Sequence, residues 1–134
     1  MQWVVPGNLK NYDVFSEIKK YGVIEWRQGI YNIQDNDIVY IYLSKPEGYV
    51  AFKCVVEAVN IRRSGLKIDD SEYFLNDTLK PVNRYMRLRP ISQYSSEDIT
   101  FEKMKDAGMP TIQSARIATP GFLKLVNLVE NKQL

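Results

Sequence analysis

Trp26 stands in the stretch VIEWRQGIYNIQDNDIVYIYLSKP, Val23 to Pro46, among charged and amide side chains rather than in an apolar run. Such an indole either closes the rim of a core or offers a flat face on which another π-system stacks. Taken alone, the residue fits the core or rim better than the stack. The remaining chemistry is bounded by what is missing. The chain has no histidine, the usual general base and commonest metal ligand, so Ser-His-Asp and Cys-His catalysis are excluded. Cys54 is the only cysteine, which removes an internal disulfide and any zinc site built from cysteine and histidine. The sequence calls for no metal and no cofactor.

The glycines, at 7, 22, 29, 48, 65, 108 and 121, never fall closer than seven positions apart, so neither a Walker loop nor a dinucleotide fingerprint can be written. Carboxylates cluster as DND at 35 to 37 and DDSE at 69 to 72. Neither has the glycine that a calcium loop requires at its sixth position, and both read as solvated turns. EIK at 17 to 19 has the form of a nuclease metal motif, but it falls in a helical pattern with no partner aspartate at a strand end, and reads as chance.

These groups must be positioned by a chain of 134 residues, the length of one domain, which buries roughly two thirds of its unfolded surface. Hydrophobic residues are 45% and charged residues 25%, the balance of a globular protein. A formal charge of +2 is too small for bulk attraction to a polyanion, so any nucleic-acid binding must use a local patch. Uncharged stretches such as Met1 to Leu9 are too short for a signal peptide or a bilayer span, and the expected location is the cytoplasm.

Trp3 to Val5 read as a short strand ended by Pro6, with a loop after it. Between Tyr12 and Tyr21 the residues Val14, Phe15, Ile18 and Tyr21 share a helical face, with Asn11 as cap and Gly22 as stop. Asp37 to Leu43 is an apolar run of strand length, the centre of a sheet. A KPEG turn leads into a long strand, Tyr49 to Ile61, in which Val50, Phe52, Cys54, Val56 and Ala58 alternate with a mixed face. Arg62 to Asp77 reads as a polar excursion over the surface. Val82 to Ile91 is again a strand, with Met86 and Leu88 on one side and Tyr85, Arg87 and Arg89 on the other, the two arginines reading as a solvated face. Thr100 caps a short helix stopped by Gly108, and Thr119 and Pro120 open a last helix with the stripe Phe122, Leu125, Val126 and Val129. Together these give an α+β domain over residues 1–134: a strongly bent, mostly antiparallel sheet of about five to six strands with about three packed helices.

In order, the segments WVVPGNLKNYD, IEWRQ, DIVYIYLSKP, AFKCVVEAV, YMRLRPI, ITFEKMKDAGM and SARIATPGFLKLV resemble the blocks of an EVE domain, a member of the PUA-like superfamily related to ASCH and YTH domains. The resemblance covers nearly the whole chain. It implies a pseudo-barrel that recognises a nucleic-acid base, often a modified one, in an aromatic pocket without catalysing a reaction. It also implies a link to restriction or modification systems, although nothing nuclease-like stands in this sequence. The family's tryptophan before its central strand matches Trp26, and its strand end matches Tyr42, Leu43 and Ser44. The first-strand segment matches Trp3 to Asn8, which brings in Pro6 and Asn8, with Tyr12 beside them. A late arginine matches Arg116, where QSARIA departs from the family's glycine-proline-arginine form.

The chemistry of these residues suits the implied task. A base taken from a stack loses a few kcal/mol, and aromatic contact returns about 1–3 kcal/mol. Trp26 would supply that contact, while Gln28, Ser44 and Asn8 would hydrogen-bond the base edge. Lys10, Arg27, Lys45 and Arg116 would meet flanking phosphates, with Arg87 and Arg89 as a further pair. The expected partner is modified DNA or RNA bound by a monomer, with room for a separately encoded partner protein and no membrane. Two alternatives stay open: a site for a free nucleobase or nucleoside, and an enzyme using a lysine and an acidic residue, as some PUA-like relatives do.

Overall fold

The computed structural model describes residues 1–10, 12–29, 31–67, 84–110 and 112–132. One sheet contains strands β1 (Gln2–Gly7), β2 (Ile24–Arg27), β3 (Ile38–Leu43), β4 (Tyr49–Ile61), β5 (Tyr85–Gln93) and β6 (Arg116–Ile117) in the order β2-β5-β4-β3-β1-β6. Only β1 and β3 pair in parallel; the other neighbours are antiparallel. Helices α1 (Val14–Tyr21), α2 (Phe101–Asp106) and α3 (Pro120–Lys132) complete the described elements, with a short 3-10 turn at Arg63–Gly65. Among the described residues, no helix is long and apolar enough to cross a membrane.

The period-two alternation of β3 divides the interior into two cores. Val39, Ile41 and Leu43 face inward with Trp3, Val5, Phe52 and Val14 of α1. Tyr40 and Tyr42 face outward with Val4, Met104 of α2, and Phe122 and Val126 of α3. Both faces being covered, the strand needs no polar side chain, which is why it reads as an unbroken apolar run. The expected alternation of β4 holds from Phe52 to Val56 but not at Val50. The register slips between Ile41 and Tyr42, leaving Ala51 as an extra residue, and Val50 joins the outer core while Phe52, Cys54 and Val56 stay in the inner one. Burial pushes the Cys54 thiol up to about 12, so this cysteine is inert packing.

Other boundaries move for identifiable reasons. β1 runs through Pro6 instead of ending there. Gln2 O accepts from Ala118 N on the β6 side at 2.9 Å, and Gly7 O accepts from Ser44 N on the β3 side at 2.8 Å. Pro6, in phase with Gln2, therefore turns its nitrogen toward β6, which pairs only with Trp3 and Val4, and no ladder bond is lost. The cap of α1 is Asp13, whose Oδ1 accepts from Ser16 N at 3.2 Å; Asn11 lies outside the described residues, as do DDSE, Val82 and most of the polar excursion. Gly22 ends α1 in the left-handed conformation, φ 75°, as its position predicts. Thr119 Oγ1 both accepts from Phe122 N at 3.1 Å and donates to Ala107 O at 2.9 Å, joining the start of α3 to the end of α2. Gly121 allows that approach, since a Cβ there would lie 2.5 Å from Ala107 O.

Asp37 departs from the solvated turn expected of DND. It is only 8% exposed and accepts from Trp3 Nε1 at 3.1 Å, Gln34 N at 3.0 Å and the Met1 ammonium at 3.0 Å. Burial raises its carboxyl, but the bonds from Gln34, Met1 and Trp3 outweigh burial and hold it below the ordinary value of 3.8. Asp37→Ala leaves the buried Trp3 N–H and the Gln34 N–H without their acceptor, and should cost about 1–3 kcal/mol in urea unfolding at neutral pH. Because the folded value is depressed, the ionised group's contribution is full above the unfolded aspartate value. It fades as pH falls through the folded one, so the gap between wild type and variant should narrow in acid.

Candidate functional site

β2 is first in the sheet order and β1 is fifth, yet a Cβ on Gly7 would lie 2.9 Å from both Cη2 and Cζ2 of Trp26. The sheet therefore curls until the β2 side meets the β1 side, and the indole seats its outer edge on the bare Cα of Gly7. Tyr12 packs edge-to-face on the same indole, ring centres 5.4 Å apart at 78°. Where the two sides meet, a cleft of about 490 Å³ opens between Pro6, Gly7 and Asn8 at the end of β1, Trp26 and Arg27 on β2, and Ser44 just past β3. Such a volume is of the size that takes small ligands, roughly 300–1,000 Å³.

The search against protein-family models found no match, and no curated protein matched. Solved structures do. A hypothetical protein from Leishmania major superposes with a TM-score of 0.64 at 15% identity, over 99% of this chain and 96% of that one. The ASCH protein of Zymomonas mobilis gives 0.59 at 15%, over 95% and 94%. A protein from Rhodopseudomonas palustris gives 0.58 at 12%, over 99% and 94%. The fold is an α+β pseudo-barrel, the architecture of that ASCH protein. At such identities the likeness carries the architecture alone.

Within this pseudo-barrel, six of the seven residues assigned by sequence to the pocket line one cleft: Pro6, Asn8, Tyr12, Trp26, Gln28 and Ser44. Tyr42 does not. It is one residue out of phase with Ile41 and Leu43, so its side chain lies in the outer core, where burial raises its phenol. Gln28 lines the cleft but its amide is engaged within the protein. Nε2 is shared among Tyr31 O at 3.3 Å, Ile33 O at 3.4 Å and Asn60 Oδ1 at 3.3 Å, and Oε1 accepts from Asn60 N at 2.7 Å. A buried amide must satisfy its own donors, which makes Gln28 a brace for the loop after Trp26 rather than an edge reader.

Of the four cations assigned to phosphates, Arg27 lines the cleft; Lys10, Lys45 and Arg116 do not, but each follows a lining residue within two positions and is exposed. Arg87 leaves the solvated face expected for it. Its guanidinium meets Glu25 Oε2 at 2.8 Å, with only 15% of its side chain exposed. Arg89 keeps the solvated role, pairing with Glu57 at 2.7 Å.

The sequence reading missed Val5, Gly7, Glu25, Gly29, Tyr31, Tyr85, Gln113, Ser114 and Ala115, which complete the lining. Tyr85 opens β5 directly opposite Arg27 of β2, a pairing between distant segments that no local pattern announces. Gln113 and Ser114 carry no signal either, because they sit in a loop whose position is set by the distant pairing of β6 with β1. Gly7→Ala tests the closure. Its methyl group meets a rigid ring, so the variant should lose about 1–3 kcal/mol by urea unfolding and shift the emission of Trp26.

Proposed function

We propose that this chain is a nucleic-acid-binding module of the EVE type that holds one base, a modified one, in the cleft beside Trp26 without catalysing a reaction. The observation that carries the reading is the convergence of an aromatic wall and small polar groups in one cleft. Trp26, Tyr12, Tyr31 and Tyr85 supply rings, and Asn8 and Ser44 supply hydrogen-bonding groups at the ends of adjacent strands. Stacking tolerates any base, and the polar groups then select among them. Exposed Arg27, with Lys10, Lys45 and Arg116 close by in sequence, gives the local positive charge that the small net charge requires.

Glu25 supports the absence of a reaction in this reading. It is the sole carboxylate among the described lining residues, yet its side chain is fully buried and bound to Arg87 and to Lys67 N at 3.0 Å. The module works as a cytoplasmic monomer, and a separately encoded partner would connect it to restriction or modification.

Binding of single- and double-stranded oligonucleotides carrying modified cytosine or adenine, measured by fluorescence anisotropy across a salt series, tests the reading. Affinity should fall as salt rises, and Arg27→Ala should reduce the salt slope by about one unit. Ser44→Ala should weaken binding up to about tenfold, the loss of one hydrogen bond. Undetectable binding at low salt would overturn the reading. Salt-independent affinity that is equal for a nucleoside and an oligonucleotide would turn it into a small-molecule site.

A further inference from the structure

We infer that Asn60, which does not line the cleft, is a positioning residue that holds two of the cleft's tyrosines, Tyr31 and Tyr85, in place. This goes beyond the proposed function and borrows from it only the ligand used in one arm of the test. The first observation concerns the backbone. Between the pairs Ala58–Arg87 and Ile61–Tyr85, β4 has two residues, Val59 and Asn60, where β5 has Met86 alone, and Asn60 takes the left-handed conformation at φ 55°. A bulge of this kind bends its strand and re-aims the side chains beside it. Met86 is also the partner of Trp26 on β2, so one strand alone separates the bulge from the indole, and Tyr85, the neighbour of Met86, lines the cleft.

The side chain of Asn60 ties three segments together at that bulge. Its Oδ1 accepts from Gln28 Nε2 at 3.3 Å, from Arg84 Nε at 3.0 Å and from Arg84 Nη2, and its own N–H donates to Gln28 Oε1 at 2.7 Å. Gln28 N closes the ring by donating to Arg84 O at 3.1 Å. One asparagine thus joins β4 to the loop after β2 and to the residue before Tyr85. Through Gln28 Nε2 the same ring reaches Tyr31 O at 3.3 Å and Ile33 O at 3.4 Å, which fixes the backbone that carries the Tyr31 ring.

Asparagine meets both demands of the position. It adopts a positive φ with less strain than most residues, and its amide oxygen supplies the acceptor that the Gln28 and Arg84 donors share. A glycine would keep the backbone and lose the acceptor. An aspartate would keep both. Because neither Asn60 nor Arg84 lines the cleft, a substitution at position 60 removes no lining atom, and a change in binding reports the placement of the residues that do line it.

The test compares Asn60→Gly and Asn60→Asp with the wild type in two arms. Without ligand, amide hydrogen exchange followed by NMR should show the protection factors at residues 28 and 60 falling about tenfold in Asn60→Gly and kept in Asn60→Asp. That of Val56, whose N–H is bonded to Asp37 O, should stay unchanged in both. With single-stranded oligonucleotides carrying 5-methylcytosine or N6-methyladenine, affinity should fall about tenfold in Asn60→Gly and be largely kept in Asn60→Asp. A merely structural asparagine would shift the urea midpoint and leave the affinity of the folded protein unmoved. Unmoved protection at residue 28 or unmoved affinity in Asn60→Gly, or a loss that Asn60→Asp shares in full, would overturn the inference while base recognition stands. No binding of either oligonucleotide by the wild type would overturn the proposed function instead. The exchange arm then decides alone, protection lost in Asn60→Gly sustaining the inference and protection kept overturning it.

Discussion

The seating of the Trp26 indole on the Cα of Gly7 is the contact on which the rest depends. It joins the first and fifth strands of a six-stranded sheet, and without that closure the sheet would remain an open surface with no cleft. Glycine is required there by space rather than by backbone conformation, since its neighbour is a rigid ring and not a turn. The same indole is then one wall of the cleft. Closing the barrel and walling the cleft are thus tasks of one side chain, and Tyr12 holds it from the side.

Around that contact the polar groups divide into those that hold the frame and those left over. Glu17, buried in α1, accepts from Glu25 N, and Glu25 in turn binds Arg87 and Lys67 N. Gln28 binds the loop that follows it and Asn60 of β4. The strand carrying Trp26 and Arg27 is therefore fastened on both sides by buried hydrogen bonds, which preorganises the wall instead of leaving it to adjust on binding. Asn8 and Ser44, where β1 and β3 run out, and Gln113 and Ser114 in the loop before β6 bring further polar side chains to the cleft. On the other face of the sheet, Glu130 of α3 receives both Tyr94 Oη at 2.8 Å and Lys53 Nζ at 3.2 Å, so the helices are tied to the strands away from the cleft.

Much of this was legible in the sequence, and the failures have physical causes. Strands β1, β3, β4 and β5 and the three helices follow from residue pattern, whereas the short β2 and β6 carry no such pattern; the capping residues Thr100 and Thr119 and the stop at Gly22 follow from helix-end chemistry. Pro6 misled because a proline ends a strand only where its nitrogen faces a partner, and that is a property of the neighbouring strand. Tyr42 misled because a resemblance transfers a position but not the phase of the strand that carries it. Gln28 read as open to a base edge, and Arg87 and Asp37 as solvated, yet all three are held inside by partners far along the chain, Asn60, Glu25 and Trp3. Pairings across such distances leave no local pattern to read.

The central claim is that a base enters the cleft against Trp26. The chain has two tryptophans, and Trp3 is buried with its indole N–H on Asp37, so 5-fluorotryptophan labelling gives one resonance at the cleft and one internal reference. Titration with an oligonucleotide bearing a modified base should move the Trp26 fluorine resonance saturably and leave that of Trp3 in place, while a wholly abasic strand should leave both unmoved. A Trp26 resonance unaffected by a strand that binds, or shifted equally by the abasic one, would contradict the account.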